Sequence, residues 1–208
     1  MYEKFIKRIL DIVFSLILFP FFLVITLIVA VVIKVEDGGK VFYYANRLGK
    51  NGNDFKMYKF RSMKMNAPDI RNSDGSTFNS NDDPRLTRIG KILRKTSVDE
   101  LPQLINVLLG DMSFIGPRPD LSEQLKYYSD GDIKRLEVLP GISGYNQAYF
   151  RNNISWKERI ANDIYYVEEI SFLFDLRILL KTVKSIFFQK GVYSQELNGG
   201  GSSAGQSK

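Results

Sequence analysis

Two adjacent carboxylates, Asp99 and Glu100, are the side chains of this sequence best suited to chemistry. An ionised carboxylate can bind Mg²⁺, or it can attack phosphorus once phosphate charge is neutralised. Ser97 is one candidate N-cap for a helix here, in a capping box with Glu100. Asp99 is the other candidate, and it would put Pro102 at the third helical position. In both interpretations the helix end and Arg94 should keep Asp99 ionised and attract phosphate, although capping alone would also explain an acidic pair.

Basic residues flank this pair in the sequence. Four lie within residues 56–64 and five within residues 84–98, and neither segment contains an acid. Such segments attract phosphate, although a solvated helix face is the more common reason for a basic stripe. Arg118 lies between two prolines in residues 116–119, so a stiff loop presents its planar guanidinium. Together these residues predict a site that handles phosphate.

The 208-residue chain contains no histidine and no cysteine. It therefore has no imidazole base, no Ser-His-Asp relay, no thiolate nucleophile and no thiolate or imidazole metal site. Any catalysis must use carboxylates, oxygen-bound metals, Lys, Arg or hydroxyl groups.

Residues 12–33 form a run of 22 residues without a charge. As a straight helix this run would be about 33 Å long, close to the thickness of a bilayer core, and a transmembrane anchor is one interpretation. Both flanks are basic, however, and a spanning helix would export one of them. Pro20 removes the hydrogen bond to the Leu16 carbonyl and predicts a kink, with the Ser15 hydroxyl as the candidate replacement donor. We therefore favour a re-entrant helix whose two ends lie on the cytoplasmic face.

The remaining patterns predict a mostly helical α+β fold with a small β-hairpin and amphipathic interfacial helices around a cytoplasmic catalytic domain. Between residues 171 and 189, an apolar stripe lies opposite basic residues, which is typical of an interfacial helix or of a helix packed on a core. The hairpin is expected from residues 41–45 and 55–60, and further helices from residue 84 onward, from about 99 to 109 and from about 155 to 169. The predicted division is 1–36 for the re-entrant membrane helix, 37–191 for the catalytic domain and 192–208 for a flexible tail.

Several ordered motifs resemble those of the bacterial monotopic phosphoglycosyl transferases, also called bacterial sugar transferases. The likeness extends from residue 1 to about residue 191, and the motifs together are far more specific than any one of them. They lie at 58–63 (YKFRSM), 90–94 (GKILR), 97–104 (SVDELPQL), 106–108 (NVL), 110–119 (GDMSFIGPRP) and 140–144 (PGISG).

The resemblance implies a defined reaction. A sugar 1-phosphate would pass from a UDP-sugar to a polyprenyl phosphate such as undecaprenyl phosphate, with release of UMP, at the cytoplasmic face of the bacterial inner membrane. This would be the first membrane step of capsule, O-antigen, exopolysaccharide or glycoprotein glycan synthesis. By position, Asp99 would form a covalent aspartyl phosphosugar, and Glu100 would assist with metal or protons in the presence of Mg²⁺. The implied phosphate or substrate ligands are Arg94, Arg118, Lys59 and Arg151.

The chain also departs from the family pattern. Phe19 replaces the serine that many relatives have before the helix-breaking proline, and residues 145–151 differ from the usual sequence, which bears on sugar preference.

Two other functions fit parts of the sequence: a non-catalytic peripheral membrane protein that binds anionic lipid through its basic helices, and a nucleic-acid-binding protein. Neither accounts for Asp99, Glu100 and Arg118 together, and an N-terminus embedded in lipid disfavours nucleic acid. The expected partners are therefore the UDP-sugar, the polyprenyl phosphate and the lipid bilayer.

Overall fold

The computed structural model describes residues 2–70, 80, 83–150 and 154–187. Its helices and strands follow one another in an order that places a long helix first and two small sheets between shorter helices. They are α1 (Lys7–Asp37), β1 (Phe42–Leu48), β2 (Asp54–Phe60), α2 (Arg88–Lys95), α3 (Gln103–Leu109), β3 (Ser113–Ile115), β4 (Gly141–Ser143), α4 (Tyr145–Tyr149), α5 (Trp156–Glu168) and α6 (Phe172–Phe187). Single helical turns precede α1, at Tyr2–Ile6, and α3, at Val98–Glu100.

The N-terminal helix α1 contains 31 residues and continues through Pro20. With the preceding turn it is long and apolar enough to cross a membrane, by length and composition alone. It ends at Gly38, which adopts the left-handed conformation that glycine tolerates best. The Ser15 hydroxyl is buried and has no hydrogen-bond partner among the described residues, so it does not bond the Leu16 carbonyl as we predicted.

The two ends of α1 are attached to the same folded domain. At the N-terminal end, Lys7 forms a buried ion pair of 2.5 Å with Asp175 of α6. At the C-terminal end, the Glu36 carboxylate accepts the backbone N–H of Arg88 at 2.7 Å, where α2 begins. Asp37 pairs with Arg61, which follows β2. The helix is therefore held to one domain at both ends.

The middle of α1 packs against the same domain through one apolar stripe. Phe22, Val29 and Ile33 are buried, and they are spaced at helical intervals, so they lie on one side of the helix. Their buried partners come from β2, α2 and α3: Phe60, Leu93 and Leu104. On the other sides of the helix, large apolar side chains stay exposed, and these include Leu23, Leu27 and Val31.

The predicted hairpin is confirmed, because β1 and β2 pair antiparallel from Phe42 with Phe60 to Leu48 with Asp54. The second sheet was not predicted: β3 and β4 pair in parallel, in two segments noted in the sequence only as motifs. Helix α5 begins with a capping box between Ser155 and Glu158, near the predicted start.

The helix predicted to begin near residue 99 has a different start. Ser97 is left-handed, with φ of 58°, and its side chain makes no capping hydrogen bond. A tight turn over Val98–Glu100 follows, with i to i−3 hydrogen bonds, and the α-helix itself begins only at Gln103. Both predicted N-caps, Ser97 and Asp99, are therefore wrong, because Pro102 occupies the N-cap position of α3.

Helix α6 corresponds to the predicted amphipathic segment, of which residues 188–189 lie outside the described residues, as does the predicted tail at 192–208. Asp175 and Ile178 are buried on its inner side, whereas Leu173 and Leu180 are exposed. The helix thus packs on the domain and also presents apolar side chains outward. An interfacial location for these side chains remains a prediction.

Candidate active site

The tight turn at Val98–Glu100 places the two adjacent carboxylates in different environments. Asp99 is 6% exposed, and its carboxylate makes no hydrogen bond or ion pair with any of the residues that the structure describes. Glu100 has the opposite arrangement, because its Oε1 atom accepts a hydrogen bond of 2.7 Å from Lys59 Nζ and another of 2.7 Å from Arg118. Lys59 and Arg118 are thus held by Glu100, and neither of them bonds to the Asp99 carboxylate.

The electrostatics of the two carboxylates differ accordingly. Burial raises the pKa of Asp99 to about 6, and the Glu100 charge acts in the same direction, while Lys59, Arg94 and Arg118 act against it. For Glu100, burial also favours the neutral form, but Arg118 and Lys59 outweigh it and hold its pKa well below the usual range. Asp99 is therefore mostly ionised at neutral pH, as predicted. The expected helix end does not lie at Asp99, because the α-helix begins only after Pro102.

Arg94 reaches this site from the last turn of α2. Its Nε atom donates to the Ser62 hydroxyl at 3.0 Å, which fixes the side chain beside the end of β2. The approach depends on Gly90, because a Cβ atom there would overlap the Ser62 carbonyl group. That carbonyl accepts the N–H of Thr87, the residue that caps α2. The close contact between α2 and the chain after β2 therefore sets the position of Arg94.

The loop that carries Arg118 is held by its backbone. The Pro117 carbonyl accepts the Gly141 N–H at 2.9 Å, and the Gly116 N–H donates to Ser143 at 2.9 Å. Side chains at Gly116, Gly141 or Gly144 would collide with the facing backbone. Two motifs noted in the sequence, at 110–119 and 140–144, thus pack directly on each other. The Arg118 side chain stays 43% exposed, so its remaining donors are open to a ligand.

Arg135 supports the same loop from inside the domain. It is 2% exposed and donates to the Arg118 carbonyl at 3.0 Å and to Asp163 of α5 at 2.5 Å. It also forms an ion pair with Asp120, whose carboxylate accepts the Trp156 indole N–H at 3.1 Å. Arg135 therefore contacts the chain on both sides of Pro119. Sequence reasoning missed it, since nothing local to Arg135 marks it as buried.

A metal ion fits this site only in combination with a phosphate ligand. Among the described residues, no group of three or more acidic side chains is arranged to hold a metal. Mg²⁺ is commonly held by one or two carboxylates together with waters and substrate phosphates. The Asp99 carboxylate has no partner in the described part of the chain, and both hydrogen bonds to Glu100 use Oε1. These two residues are the candidate ligands.

The structure brings together five of the residues selected from the sequence: Lys59, Arg94, Asp99, Glu100 and Arg118. Arg151 lies outside the described residues. Pro20 and Ser15 lie in α1 and are not among the groups that contact either carboxylate. Sequence reasoning noted Asn106 only as part of the motif at 106–108, although an asparagine within the apolar run of α3 is itself an unusual feature.

Comparison with known proteins assigns this arrangement to a family. The family model described as bacterial sugar transferase matches residues 2–189. The chain belongs to the bacterial sugar transferase family. It is 41% identical over 187 residues to the sugar transferase EpsL of Bacillus subtilis, and the match covers 90% of each chain.

Two longer relatives carry names that specify a reaction. The chain is 40% identical over 192 residues to the UDP-N-acetylgalactosamine-undecaprenyl-phosphate N-acetylgalactosaminephosphotransferase of Aeromonas hydrophila, covering 88% of this chain and 44% of that protein. It is 38% identical over 203 residues to the undecaprenyl-phosphate galactose phosphotransferase of Salmonella typhimurium, covering 92% and 42%. This transferase therefore spans less than half of those two relatives but nearly all of EpsL.

Proposed function

We propose that this protein transfers a sugar 1-phosphate from a UDP-sugar to a polyprenyl phosphate, such as undecaprenyl phosphate, and releases UMP. The observation that carries the proposal is that the two carboxylates of the acidic pair have different surroundings. Glu100 holds Lys59 and Arg118, while the buried Asp99 carboxylate stays free of partners among the described residues. The names of the two longer relatives support the substrate classes.

The reaction would proceed in two displacements at one phosphorus atom. An Asp99 carboxylate oxygen attacks the sugar-bearing phosphorus of the UDP-sugar, and the bond from this phosphorus to the bridging oxygen breaks, so UMP leaves with that oxygen. The product on the protein is an aspartyl phosphosugar. A polyprenyl phosphate oxygen then attacks the same phosphorus, the bond to Asp99 breaks, and the carboxylate is regenerated. The raised pKa of Asp99 favours the first step, since basicity and nucleophilicity of an ionised group increase together.

The cations of the site supply the charge neutralisation that phosphoryl transfer needs. Arg118 and Arg94 would bind phosphate oxygens. Lys59 would hold the Glu100 carboxylate in place, and Glu100 would face the substrate. Arg151 is a further candidate ligand. Asp99 and Glu100 would hold Mg²⁺ jointly with the substrate phosphates, and the ion, when bound, would neutralise phosphate charge and make phosphorus more electrophilic.

The protein would act at the cytoplasmic face of the bacterial inner membrane. A helix that spans a bilayer separates its ends by the thickness of the membrane. Here Lys7 and Glu36, at opposite ends of α1, both contact the one domain that carries the acidic pair. This double attachment, with the exposed apolar side chains of α1 and α6, supports a re-entrant membrane helix. Such a location would bring a soluble nucleotide and a lipid phosphate to one active site.

Incubation of the purified protein with Mg²⁺ and a panel of UDP-sugars, without acceptor, tests the covalent mechanism. We expect UMP release and a phosphosugar adduct on Asp99, located by mass spectrometry. Asp99→Asn should form no adduct and should release no UMP. Turnover with acceptor present but no adduct in its absence would indicate direct transfer. A protein that binds anionic vesicles without any turnover would support the non-catalytic alternative.

The topology is tested separately by cysteine labelling, for which the natural chain offers a background without cysteine. Lys4→Cys and Lys40→Cys variants in intact cells should resist a membrane-impermeant thiol reagent, and both should react after permeabilisation. Labelling of either one in intact cells would contradict the re-entrant arrangement.

A further inference from the structure

Strand β2 carries Lys59, and one of its two edges is outside the hairpin. The sheet has only two strands among the described residues, so the edge of β2 that faces away from β1 has no strand partner there. A bare edge exposes a row of unpaired N–H and C=O groups. In this protein α3 covers that edge.

The Asn106 side chain of α3 takes the place of a third strand. Its Oδ1 atom accepts the Tyr58 N–H at 3.0 Å, and its Nδ2 atom donates to the Lys56 carbonyl at 2.7 Å. The second Nδ2 hydrogen faces the Asp111 carboxylate at 3.2 Å. Asn106 is fully buried, so most of the hydrogen-bonding capacity of its amide is used inside the domain. The amide thereby forms hydrogen bonds with two backbone groups of β2.

This contact bears directly on the acidic pair. Lys59 follows Tyr58 in the strand, and its ammonium lies 2.7 Å from Glu100. Lys59 shares its side of the strand with Met57, which packs against Val107 of α3. A shift of β2 by one residue would turn Lys59 to the other face. The amide of Asn106 opposes such a shift, because its two bonds to β2 are made to the backbone groups of Lys56 and Tyr58.

We propose that Asn106 is a positioning residue for the transfer reaction, which holds the edge of β2 against α3 and so keeps the Lys59 ammonium on Glu100. The inference rests on the proposed function. It assigns a role to Asn106, whose side-chain bonds reach neither Asp99 nor Glu100. An apolar residue of similar size would pack in α3 but would leave the Tyr58 N–H and the Lys56 carbonyl of β2 without their bonds to α3.

A double-mutant cycle tests the assignment. Asn106→Ala and Lys59→Met are made singly and together in the full chain, and UMP release and kcat are measured with a UDP-sugar that the natural protein uses. If Asn106 acts through Lys59, Asn106→Ala should lower kcat by about ten- to hundredfold in the natural background, as a small misplacement of a charged group does. In the Lys59→Met background the further loss should be less than about twofold.

The split between kcat and KM gives a second readout that a purely structural role would not share with Lys59. Because Asn106 contacts β2 and the Lys59 ammonium contacts Glu100, Asn106→Ala should change kcat and KM in the same directions and in the same proportion as Lys59→Met does. As a matched control, Asn162→Ala removes an amide bonded to Asn146, and it should leave kcat and KM within about twofold of the natural values.

The possible results separate this inference from the proposed function. Absence of turnover by the natural protein with every UDP-sugar overturns both. Turnover by the natural protein, with equal effects of Asn106→Ala in both backgrounds and changes in kcat and KM unlike those of Lys59→Met, overturns only the role of Asn106. If Asn106→Ala does not fold, Asn106→Ser, which can keep one of the two bonds to β2, is taken through the same cycle with the same criteria.

Discussion

Asp99→Asn is expected to stabilise the folded protein while it abolishes transfer. The Asp99 carboxylate is buried and makes no hydrogen bond to the described residues, and burial raises its pKa from 3.8 to about 6. Keeping this group ionised in the folded state at neutral pH therefore destabilises the fold by up to about 3 kcal/mol, at about 1.4 kcal/mol for each pKa unit. The amide has nearly the same shape and carries no charge, so it removes most of this destabilisation.

The pH dependence of this effect has a definite sign. Because the pKa of Asp99 is higher in the folded than in the unfolded state, the ionised carboxylate destabilises increasingly as the pH rises from about 4 to 6. The advantage of Asp99→Asn should thus be largest above pH 6 and should disappear near pH 4. Glu100 is the matched control, because its pKa is lowered in the folded state by Arg118 and Lys59. Glu100→Gln should destabilise above pH 4.5, and its effect should fade as the pH drops below that value.

Thermal unfolding of the detergent-purified protein, without substrate and with EDTA, measures both effects through the fluorescence of Trp156, the only tryptophan. For a chain of this size, 3 kcal/mol corresponds to an increase in Tm of about 6–12 °C. We expect Asp99→Asn to approach this increase at pH 7.5 and Glu100→Gln to lower the Tm. If the Tm of Asp99→Asn at pH 7.5 is equal to or lower than that of the natural protein, the conclusion that the buried Asp99 carboxylate destabilises the fold is refuted.

Three further outcomes are expected. The rate of adduct formation should rise about tenfold between pH 5 and pH 7 as Asp99 ionises, and Lys59→Met should shift this rise to higher pH; a rate independent of pH over that range would contradict the role of Asp99. Arg135→Met should destabilise the protein by about 3 kcal/mol or more in denaturant titration, since it leaves buried carboxylates without their cation, and a variant as stable as the natural protein would argue against this network. Ser15→Ala should change the free energy of unfolding by less than about 1 kcal/mol, because the Ser15 hydroxyl has no hydrogen-bond partner among the described residues. A larger loss of stability would contradict this and indicate that the hydroxyl is hydrogen-bonded.

Local features of the fold were predictable because short-range rules govern them. The hairpin follows from two β-prone segments around glycine and asparagine, and the start of α5 follows from the capping box of Ser155 and Glu158. The same rules failed at Ser97, where a capping sequence occurs without a capping bond. There the left-handed backbone and Pro102 delay the α-helix, which removes the helix end from Asp99. The parallel pair of β3 and β4 was also missed, since its strands are short and distant in sequence.

For the candidate site, the sequence by itself determined the chemistry that is available. With no histidine or cysteine, the reactive groups are carboxylates with basic neighbours, and the ordered motifs indicate the family. Only the tertiary structure decided which carboxylate is engaged and which is free. Lys59 is 41 residues from Glu100 in the chain, and Arg118 is 18 residues away. Their meeting depends on the register of β2 and on the packing of two glycine-containing turns, because burial and long-range pairing are properties of the whole fold and not of any local pattern.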